Sequence, residues 1–354
     1  IKTSYDWSEW GKFSDAIEMC NNNGACRKLD SGVMCPSYRV TKEEKDLVRG
    51  RANTLRLALS NQLPKDSFVS KEMYETMELC VSCKACQNEC PMSVDMAKMK
   101  SEFLSHYFKK FSMSIKDRVI SNMPKLIWLL RIVSPIFNKI KNYPVISGII
   151  RKFGYATERE MPTVQNQFPL KEIYKSQIKS ENKVILFADT FNINFEIQNL
   201  MYSIKVLNKF GYEVIIPSFD NDNLKRPLCC GRTYISYGQL DKAEEELNRF
   251  VNYILVNGYY DMPIVGIEPS CLLTFSDEFK TLRNIKNRDK LKNKFYLLEE
   301  FVLEQINEGN KVSLNKFDQN VLIHGHCHQK SQDRIKGLTG LLSKLNISNK
   351  MIDS

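Results

Sequence analysis

The chain has 354 residues, of which 43% are hydrophobic, a proportion typical of globular proteins that excludes disorder as the main state. A length in this range predicts about two domains. The formal net charge is +10, but residues 105–155 alone contain ten basic residues and one acidic residue. Because the excess charge lies in one segment, we expect no nucleic acid among the partners.

The longest uninterrupted apolar runs, 126–130 and 184–188, have five residues each, whereas a helix needs about 20 to cross a bilayer. No membrane-spanning helix is therefore predicted. The first residues carry neither an initiator Met nor the pattern of a secretory signal, and we interpret them as an internal start. Eleven cysteines, most of them in tight clusters, predict metal ligands in a reducing compartment and hence a cytoplasmic protein.

Residues 1–110 are predicted to form a mostly helical domain. Apolar residues recur every three or four positions in three stretches, as in amphipathic helices: Glu43–Leu59, Lys71–Leu79 and Val94–Phe111. Residues 111–180 are basic and apolar and are predicted to be a helical connector. Prolines should divide its helices into short pieces; they are Pro124, Pro135, Pro144 and Pro162.

Residues 181–354 alternate between strand and helix patterns. Buried strands are predicted at Lys183–Asp189, Tyr212–Pro217, Pro263–Glu268 and Asn320–Gly325, and helices at Phe195–Phe210, Gln239–Val256 and Lys294–Glu308. Gly211 is expected to end the first of these helices. Such alternation is typical of an α/β layer with a parallel sheet.

The most specific motif has the spacing C-x2-C-x2-C-x3-C-P and consists of Cys80, Cys83, Cys86, Cys90 and Pro91. In this motif three thiolates bind one [4Fe-4S] cluster and the fourth binds a neighbouring cluster. A zinc site needs two cysteine pairs separated by a loop of about twelve or more residues, but only two residues separate Cys83 from Cys86. The spacing therefore favours iron–sulfur over zinc.

A neighbouring cluster needs three more ligands, and the sequence offers them near its start. These are Cys20, Cys26 and Cys35, the last of which precedes Pro36. If the two motifs exchange a ligand, as in two-cluster ferredoxins, each cluster draws on both motifs. The predicted sets are Cys80, Cys83, Cys86 and Cys35 for one cluster, and Cys20, Cys26 and Cys90 for the other.

The second set is one ligand short. Asn23 occupies the position that would complete an earlier C-x2-C-x2-C motif, and its amide is a poor ligand for iron–sulfur chemistry. We therefore expect either a [3Fe-4S] cluster or a [4Fe-4S] cluster whose fourth ligand is not cysteine. In the alternative interpretation, Cys20 and Cys26 are buried thiols without a cluster.

These motifs resemble the iron–sulfur portion of bacterial FAD-linked oxidases of the fused D-2-hydroxyglutarate or D-lactate dehydrogenase type. The segments that carry the resemblance are 20–27, 32–39, 49–56 and 80–91. Glycolate oxidase iron–sulfur subunits are more distant relatives; both of their ferredoxin motifs have four cysteines, a pattern from which Asn23 departs. The resemblance implies a partner domain that binds FAD, oxidises a D-2-hydroxy acid and reduces the clusters. No G-x-G-x-x-G fingerprint follows a predicted strand of this sequence.

A third group of cysteines follows the predicted strands. Because the carboxyl ends of parallel strands meet at one edge of a sheet, these cysteines should form one site: Cys229, Cys230, Cys271 and Cys327. We expect a metal ion or a non-cubane cluster there, with a thiol redox role or simple burial as alternatives. Around Cys327 lie His324, His326 and His328, which are interpreted as ligands, proton carriers or structural groups.

The same segments resemble the cysteine-rich CCG domain of heterodisulfide reductase subunits and of the iron–sulfur subunits of glycolate and anaerobic glycerol-3-phosphate dehydrogenases. One repeat of that domain runs from a leading cysteine through a CC pair to C-x-x-C. Here no cysteine lies between Asp189 and Ile197, and Glu268 takes the first position of C-x-x-C. Cys327 resembles the leading cysteine of a second repeat whose CC pair would follow Ser354, so the domain is expected to be truncated at its C-terminus.

The sequence thus predicts an α-helical two-cluster ferredoxin-like domain followed by an α/β CCG domain. The module would relay electrons from an FAD domain to a quinone or another acceptor within an oxidoreductase that acts on CH–OH groups, and would have no catalytic residues of its own. The basic connector would suit the anionic inner face of a membrane, and docking onto the chain's own domains or onto the flavin domain is the alternative. Other candidate functions are heterodisulfide-reductase-like thiol–disulfide chemistry and the anaerobic glycerol-3-phosphate dehydrogenase type.

Overall fold

The computed structural model describes residues 1–30, 32–156, 158–166, 173, 177–217, 226–310, 317 and 319–352. Within these ranges the fold is mainly helical, with one four-stranded and one two-stranded parallel sheet. The N-terminal residues are helical, as predicted, and both sheets lie beyond residue 182.

The N-terminal region contains short helices around the cysteine-bearing loops. They are α1 (Phe13–Glu18), α2 (Pro36–Thr41), α3 (Val48–Leu59), α4 (Lys71–Glu78), α5 (Ala85–Glu89) and α6 (Met96–Lys110), with 3-10 turns at Ser8–Trp10, Ala25–Arg27, Glu44–Asp46 and Ser67–Val69. The three predicted amphipathic helices correspond to α3, α4 and α6. Side chains cap two of them: Ser70 Oγ accepts a hydrogen bond from the Met73 N–H, and Asp95 Oδ1 accepts one from the Lys98 N–H.

The connector forms α7 (Ile115–Ser121), α8 (Met123–Ile140) and α9 (Pro144–Lys152). The prediction that prolines divide this region into short pieces is wrong at Pro135, which lies inside the 18-residue helix α8. A proline there leaves the carbonyl of Arg131 without its helical donor, and the Ser134 hydroxyl donates to that carbonyl at 2.8 Å instead. Across the described part of the chain, no helix combines the length and the hydropathy that a membrane crossing requires.

The C-terminal region alternates between strands and helices. Its elements are β1 (Lys183–Phe187), α10 (Thr190–Asn194), α11 (Ile197–Lys209), β2 (Glu213–Ile215), α12 (Arg232–Ser236), α13 (Leu240–Val256), β3 (Ile264–Gly266), α14 (Pro269–Ser276), α15 (Glu278–Thr281), a 3-10 turn (Arg288–Leu291), β4 (Phe295–Leu297), α16 (Leu298–Asn307), β5 (Val321–Ile323), α17 (Cys327–Ser331), α18 (Ile335–Lys344) and β6 (Asn349–Met351). The larger sheet has the order β2-β1-β3-β4, and every pairing is parallel.

Two details of the predicted sheet are wrong. Phe295–Leu297, predicted as the start of a helix, forms the edge strand β4 because these residues pair with β3 before the chain turns into α16. The predicted strand Asn320–Gly325 exists as β5, but it pairs with β6 in a separate sheet rather than joining the larger one.

One hydrophobic core runs through both regions. It contains Leu55 and Phe103 of the helical region together with Ile185 and Phe250 of the α/β region. A second core covers the other face of the sheet, between β1, β3 and α11. The start of the chain also crosses the junction, since Tyr5 forms an antiparallel bridge with Leu282. The cysteine loops of the two regions are therefore held within one packed body.

Candidate functional site

Four cysteines of the N-terminal region line one small cavity: Cys35, Cys80, Cys83 and Cys86. Cys35 stands immediately before α2, and the other three belong to the loop and short helix that follow α4. The fold therefore brings together the thiols that ligand exchange assigns to one cluster. Since a cubane cluster takes one thiolate for each of its four irons, this donor set fits a [4Fe-4S] cluster.

The loops around this cavity are turned by residues with left-handed backbone conformations. The φ angles are 54° at Cys35, 54° at Ser82 and 61° at Lys84, a region that residues other than glycine seldom adopt. Such turns expose successive backbone N–H groups on one side of a loop, which suits the binding of anionic groups.

Backbone N–H groups hydrogen-bond three of the four sulfurs. The Val48 N–H donates to Cys35 Sγ at 3.3 Å, and the N–H groups of Ala85 and Met96 donate to Cys83 and Cys86 respectively. Hydrogen bonds to cluster sulfurs raise the reduction potential of an iron–sulfur centre. These donors would raise the reduction potential of a cluster bound here and would position its ligands.

Burial keeps these thiols protonated in the absence of a cation. It raises the pKa of Cys35 to about 12 and that of Cys83 to about 11. A metal binds thiolates and releases their protons, so the cavity favours a strongly bound cationic core over free thiolates. Arg51, which is buried in the cavity wall and donates to the carbonyl oxygen of Asp46 at 2.8 Å, adds a positive charge beside it.

The other predicted set, Cys20, Cys26 and Cys90, comes from two separate segments of the chain. Cys20 and Cys26 are both buried, and burial together with the charge of Cys20 raises the pKa of Cys26. Cys90 follows α5 and is half-buried. Asn23 is exposed, and its Oδ1 accepts the Ala25 N–H at 2.8 Å. Its amide therefore shapes the loop between Cys20 and Cys26.

In the α/β region, three buried thiols form a chain of hydrogen bonds that runs from Cys229 through Cys230 to Cys271. Backbone N–H groups of Gly231 and Arg232 donate to the first two sulfurs, each at 3.4 Å. Among the residues that the structure describes, no three His, Cys, Asp or Glu side chains converge as the ligands of a single metal ion would.

Carboxylates surround the last thiol of this chain. The hydrogen bond from Cys230 lowers the pKa of Cys271, but burial and the charges of Asp189 and Glu268 raise it to about 11. Burial also raises the pKa of Asp189 to about 6. Asp189 caps α10 through the N–H groups of Phe191 and Asn192. Attacking thiolates in redox enzymes have lowered pKa values, so these buried thiols are poorly suited to thiol–disulfide exchange.

Cys327 and the histidines lie where α17 packs on the N-terminal cysteine loop. The charge of Cys327 contributes to the raised pKa of Cys83, after burial, and His328 Nε2 lies 3.2 Å from the Ser82 carbonyl oxygen. His326 Nε2 lies 3.9 Å from Glu268 Oε1. His324 is exposed. The rings of His326 and His328 are adjacent, with their centroids 5.3 Å apart, so two of the three histidines lie together, whereas His324 differs from them in its exposure.

A buried ion network connects the two cysteine groups, and sequence reasoning missed it. Lys84, between Cys83 and Cys86, lies 2.5 Å from Asp277 and 2.9 Å from Glu278. Arg232, which directly follows Cys229, Cys230 and Gly231, contacts the same Glu278. Three cations and three carboxylates balance in this network: Lys84, Lys98 and Arg232 with Asp95, Asp277 and Glu278. The only hint of this network in the sequence was Lys84, a charged residue inside the cysteine motif.

Cys80 also borders a second cavity, of about 250 Å³. Its wall includes Tyr74, Lys100, Asp117 and Tyr237. Phe108 separates it from a larger cavity of about 890 Å³ between the end of α6, α7 and the start of α13, since that side chain lines both. A planar molecule in the smaller cavity would contact a residue of the cysteine motif directly.

Comparisons with known proteins agree with the cysteine geometry. Residues 16–94 match the family model described as a 4Fe-4S dicluster domain. The chain is similar to D-2-hydroxyglutarate dehydrogenase of Escherichia coli (21% identical, covering 74% of this chain and 30% of the relative) and of Pseudomonas putida (22%, covering 94% and 36%). It is also similar to an uncharacterized iron–sulfur protein of Methanocaldococcus jannaschii (21%, covering 88% and 66%). No solved structure matches the chain significantly.

The predicted resemblance to the D-2-hydroxyglutarate dehydrogenase type is thereby confirmed, and the chain contains an iron–sulfur domain similar to those of oxidoreductases. The chain spans about a third of the length of these dehydrogenases.

Proposed function

We propose that this chain is the electron-transfer module of an FAD-dependent D-2-hydroxy-acid dehydrogenase. The observation that carries the proposal is the cavity lined by Cys35 together with Cys80, Cys83 and Cys86. An electron carrier needs no substrate pocket, but it needs cofactors held rigidly and shielded from water. The flavin domain, which oxidises the hydroxy acid, lies outside this chain or on a partner.

In this proposal two clusters are bound by the exchanged sets of thiols. Bound clusters supply one-electron carriers between a two-electron donor and an acceptor. The protein's part is to hold the thiolates, to donate backbone N–H groups such as that of Val48, and to place the buried cation of Arg51 nearby. The set of Cys20, Cys26 and Cys90 binds the second cluster, which is either [3Fe-4S] or completed by a ligand other than cysteine.

We propose a membrane quinone as the acceptor and the cytoplasmic side of the membrane as the location. The cavity beside Cys80 supports this choice, because two tyrosines, Tyr74 and Tyr237, and the cation of Lys100 line it. Hydroxyl and ammonium groups are suitable donors for the carbonyl oxygens of a quinone headgroup. The adjoining larger cavity has room for part of an apolar tail.

The cysteines of the α/β region are not needed for the proposed electron transfer. Cys229, Cys230 and Cys271, with Cys327, are kept as candidate ligands of a non-cubane cluster, since they do not converge as the ligands of a single metal ion would. The rival function, thiol–disulfide chemistry as in heterodisulfide reductase, is disfavoured by the burial and the raised pKa of the first three thiols. The anaerobic glycerol-3-phosphate dehydrogenase type differs from the first proposal in the substrate of the flavin partner.

The decisive experiment counts clusters in anaerobically purified protein. Two clusters predict about seven or eight irons per chain, with a matching amount of acid-labile sulfide, and electron paramagnetic resonance (EPR) before and after dithionite identifies their types. Cys35→Ser should remove about four irons. Cys271→Ser, which changes an equally buried thiol, should leave both cubane-type signals in place. Four or fewer irons in the unmodified chain, or full iron content in Cys35→Ser, would contradict the two-cluster proposal.

A further inference from the structure

The connector helices α8 and α9 expose large apolar side chains. On α8 these are Leu129, Ile132, Val133, Ile136 and Ile140; on α9 they are Val145 and Ile149, and Phe153 follows directly after α9. Their spacing of three and four residues places each set along one side of its helix. We call these eight residues the outer apolar face. Ile132, near the middle of α8, keeps 77% of its surface exposed.

Polar contacts hold α8 in this orientation. On its inner side, Asn138 and Val164 exchange two hydrogen bonds, from Asn138 Nδ2 to the Val164 carbonyl at 2.7 Å and from the Val164 N–H to Asn138 Oδ1 at 3.0 Å. The buried Lys141 Nζ donates to the Met161 carbonyl at 2.5 Å and to Thr163 Oγ1 at 2.9 Å. A helix of a globular protein normally buries its apolar stripe. From Arg131 onward α8 instead buries polar side chains, those of Arg131 and Ser134, and exposes apolar ones.

Helices α8 and α9, which carry the outer apolar face, contain basic but no acidic residues, while Glu158 and Glu160 of the following segment contact Arg151 and Lys141. Residues 105–155 contribute +9 of the total +10, which leaves +1 for the rest of the chain. Lys139 on α8 and Lys152 on α9 are exposed beside the apolar residues. A second copy of the chain would bring another positive face, so like charges oppose self-association here. An anionic bilayer offers both an apolar boundary and negative headgroups.

We propose that the outer apolar face docks this protein on an anionic membrane surface. The eight apolar side chains enter the boundary between headgroups and acyl chains, and the neighbouring lysines contact lipid phosphates. Helices α8 and α9 lie along the membrane. This inference rests on the membrane location proposed above, which it assigns to named residues. Because binding to lipid requires neither cluster nor acceptor, its failure is distinguishable from failure of the electron-transfer proposal.

The test is flotation of the full chain with lipid vesicles. Pure phosphatidylcholine vesicles are compared with vesicles in which one third of the lipid is phosphatidylglycerol, at low and high salt. The chain should bind the anionic vesicles and be released by salt, since salt screens headgroup attraction. The double change Ile132→Asn and Ile136→Asn should weaken binding at least tenfold, and Lys139→Gln with Lys152→Gln about thirtyfold at low salt.

The matched control is Val256→Asn on α13, where valine has 75% of its surface exposed; it should bind as the unmodified chain does. Iron content and circular dichroism verify that each variant is folded with its cofactors, so loss of lipid binding is distinguishable from loss of clusters. Equal binding by Ile132→Asn/Ile136→Asn and the unmodified chain would overturn the proposal. An absence of vesicle binding would also overturn the proposal. The outer apolar face would then be covered by a second copy of the chain, which light scattering detects as a dimer, or by a flavin-containing partner.

Discussion

Arg232 and Glu278 form a buried bidentate ion pair, in which both N–O distances are 2.7 Å. Glu278 also lies 2.9 Å from Lys84 Nζ, and Lys84 separates Cys83 from Cys86 in the sequence. One carboxylate therefore links the loop of the N-terminal cysteines to Arg232, two residues after Cys230. The two cysteine groups are held at a fixed separation by charge pairing as well as by the shared core.

We predict that Glu278→Gln destabilises the protein strongly. The substitution keeps the shape of the side chain but leaves Arg232 and Lys84 with one carboxylate fewer, and breaking a buried ion pair typically costs about 3–5 kcal/mol. Burial alone would raise the pKa of Glu278, but Arg232 and Lys84 hold it far below its usual range. Denaturant unfolding under nitrogen, followed by circular dichroism, measures the change in the free energy of unfolding.

The matched control is Glu43→Gln. Glu43 pairs with Lys45 at 3.0 Å, but both side chains are more than half exposed, so the change should stay within about 0.5 kcal/mol. If Glu278→Gln has an equally small effect, the ion network contributes nothing to stability and the core alone joins the two regions.

Four of the predicted ligand cysteines line one cavity, a proximity that ligand exchange between cysteine motifs leads one to expect, whereas their assignment as cluster ligands stays a prediction. The sequence could not predict the partner of Lys84, since Asp277 lies 193 residues further along the chain, and only the folded chain brings them together. The edge strand β4 was missed because three residues are too few for a periodic pattern. Pro135 was misjudged because a neighbouring hydroxyl, that of Ser134, replaces the hydrogen bond that proline cannot make.

We predict that the titration of Glu102 makes the stability of the protein depend on pH. Its buried carboxylate accepts N–H groups from Ser4 and Tyr5 at 3.0 Å and from the Trp7 ring at 3.2 Å. Burial raises the pKa of this carboxyl, but the His106 ring, with Nε2 3.5 Å from Glu102 Oε1, and the N–H donors outweigh it and leave the pKa below its usual value. The stabilisation is therefore complete above the unfolded pKa of about 4.3 and is lost as the pH falls through the folded pKa.

Glu102→Gln should lower the free energy of unfolding at neutral pH by about 1–3 kcal/mol, because a neutral amide is a weaker acceptor of these hydrogen bonds. It should also flatten the decline of stability below a pH of about 4. Urea unfolding at several pH values measures both effects. A parallel decline in the variant and the unmodified chain would show that other carboxylates determine the acid sensitivity.

Asn23→Cys tests the assignment of the second cluster. The substitution supplies the eighth thiol at the position where a C-x2-C-x2-C motif has one. We expect either a gain of about one iron per chain with loss of a [3Fe-4S] EPR signal, or a shifted EPR signal at constant iron. Asn21→Cys is the control, because Asn21 belongs to the same exposed turn but lies outside the motif spacing. An unchanged iron count and spectrum in Asn23→Cys would contradict the assignment.

Two helical glycines give opposite predictions for the same substitution. A Cβ at Gly50 in α3 would lie 2.0 Å from the Glu44 carbonyl oxygen, whereas a Cβ at Gly148 in α9 would meet nothing within 4 Å. Gly50→Ala should therefore cost about 1–3 kcal/mol of stability through overpacking, and Gly148→Ala should add about 0.5–1 kcal/mol through helix propensity.

Gly50→Ala should also disturb the cluster cavity. The forced shift of α3 moves the Val48 N–H, which donates to Cys35 Sγ at 3.3 Å, and weakening that hydrogen bond lowers the reduction potential of a cluster bound there. Potentiometric titration followed by EPR should detect the lower potential in Gly50→Ala and no shift in Gly148→Ala. A destabilised Gly50→Ala protein with an unchanged potential would mean that the close packing of Gly50 against Glu44 supports the fold without positioning the cysteine loop.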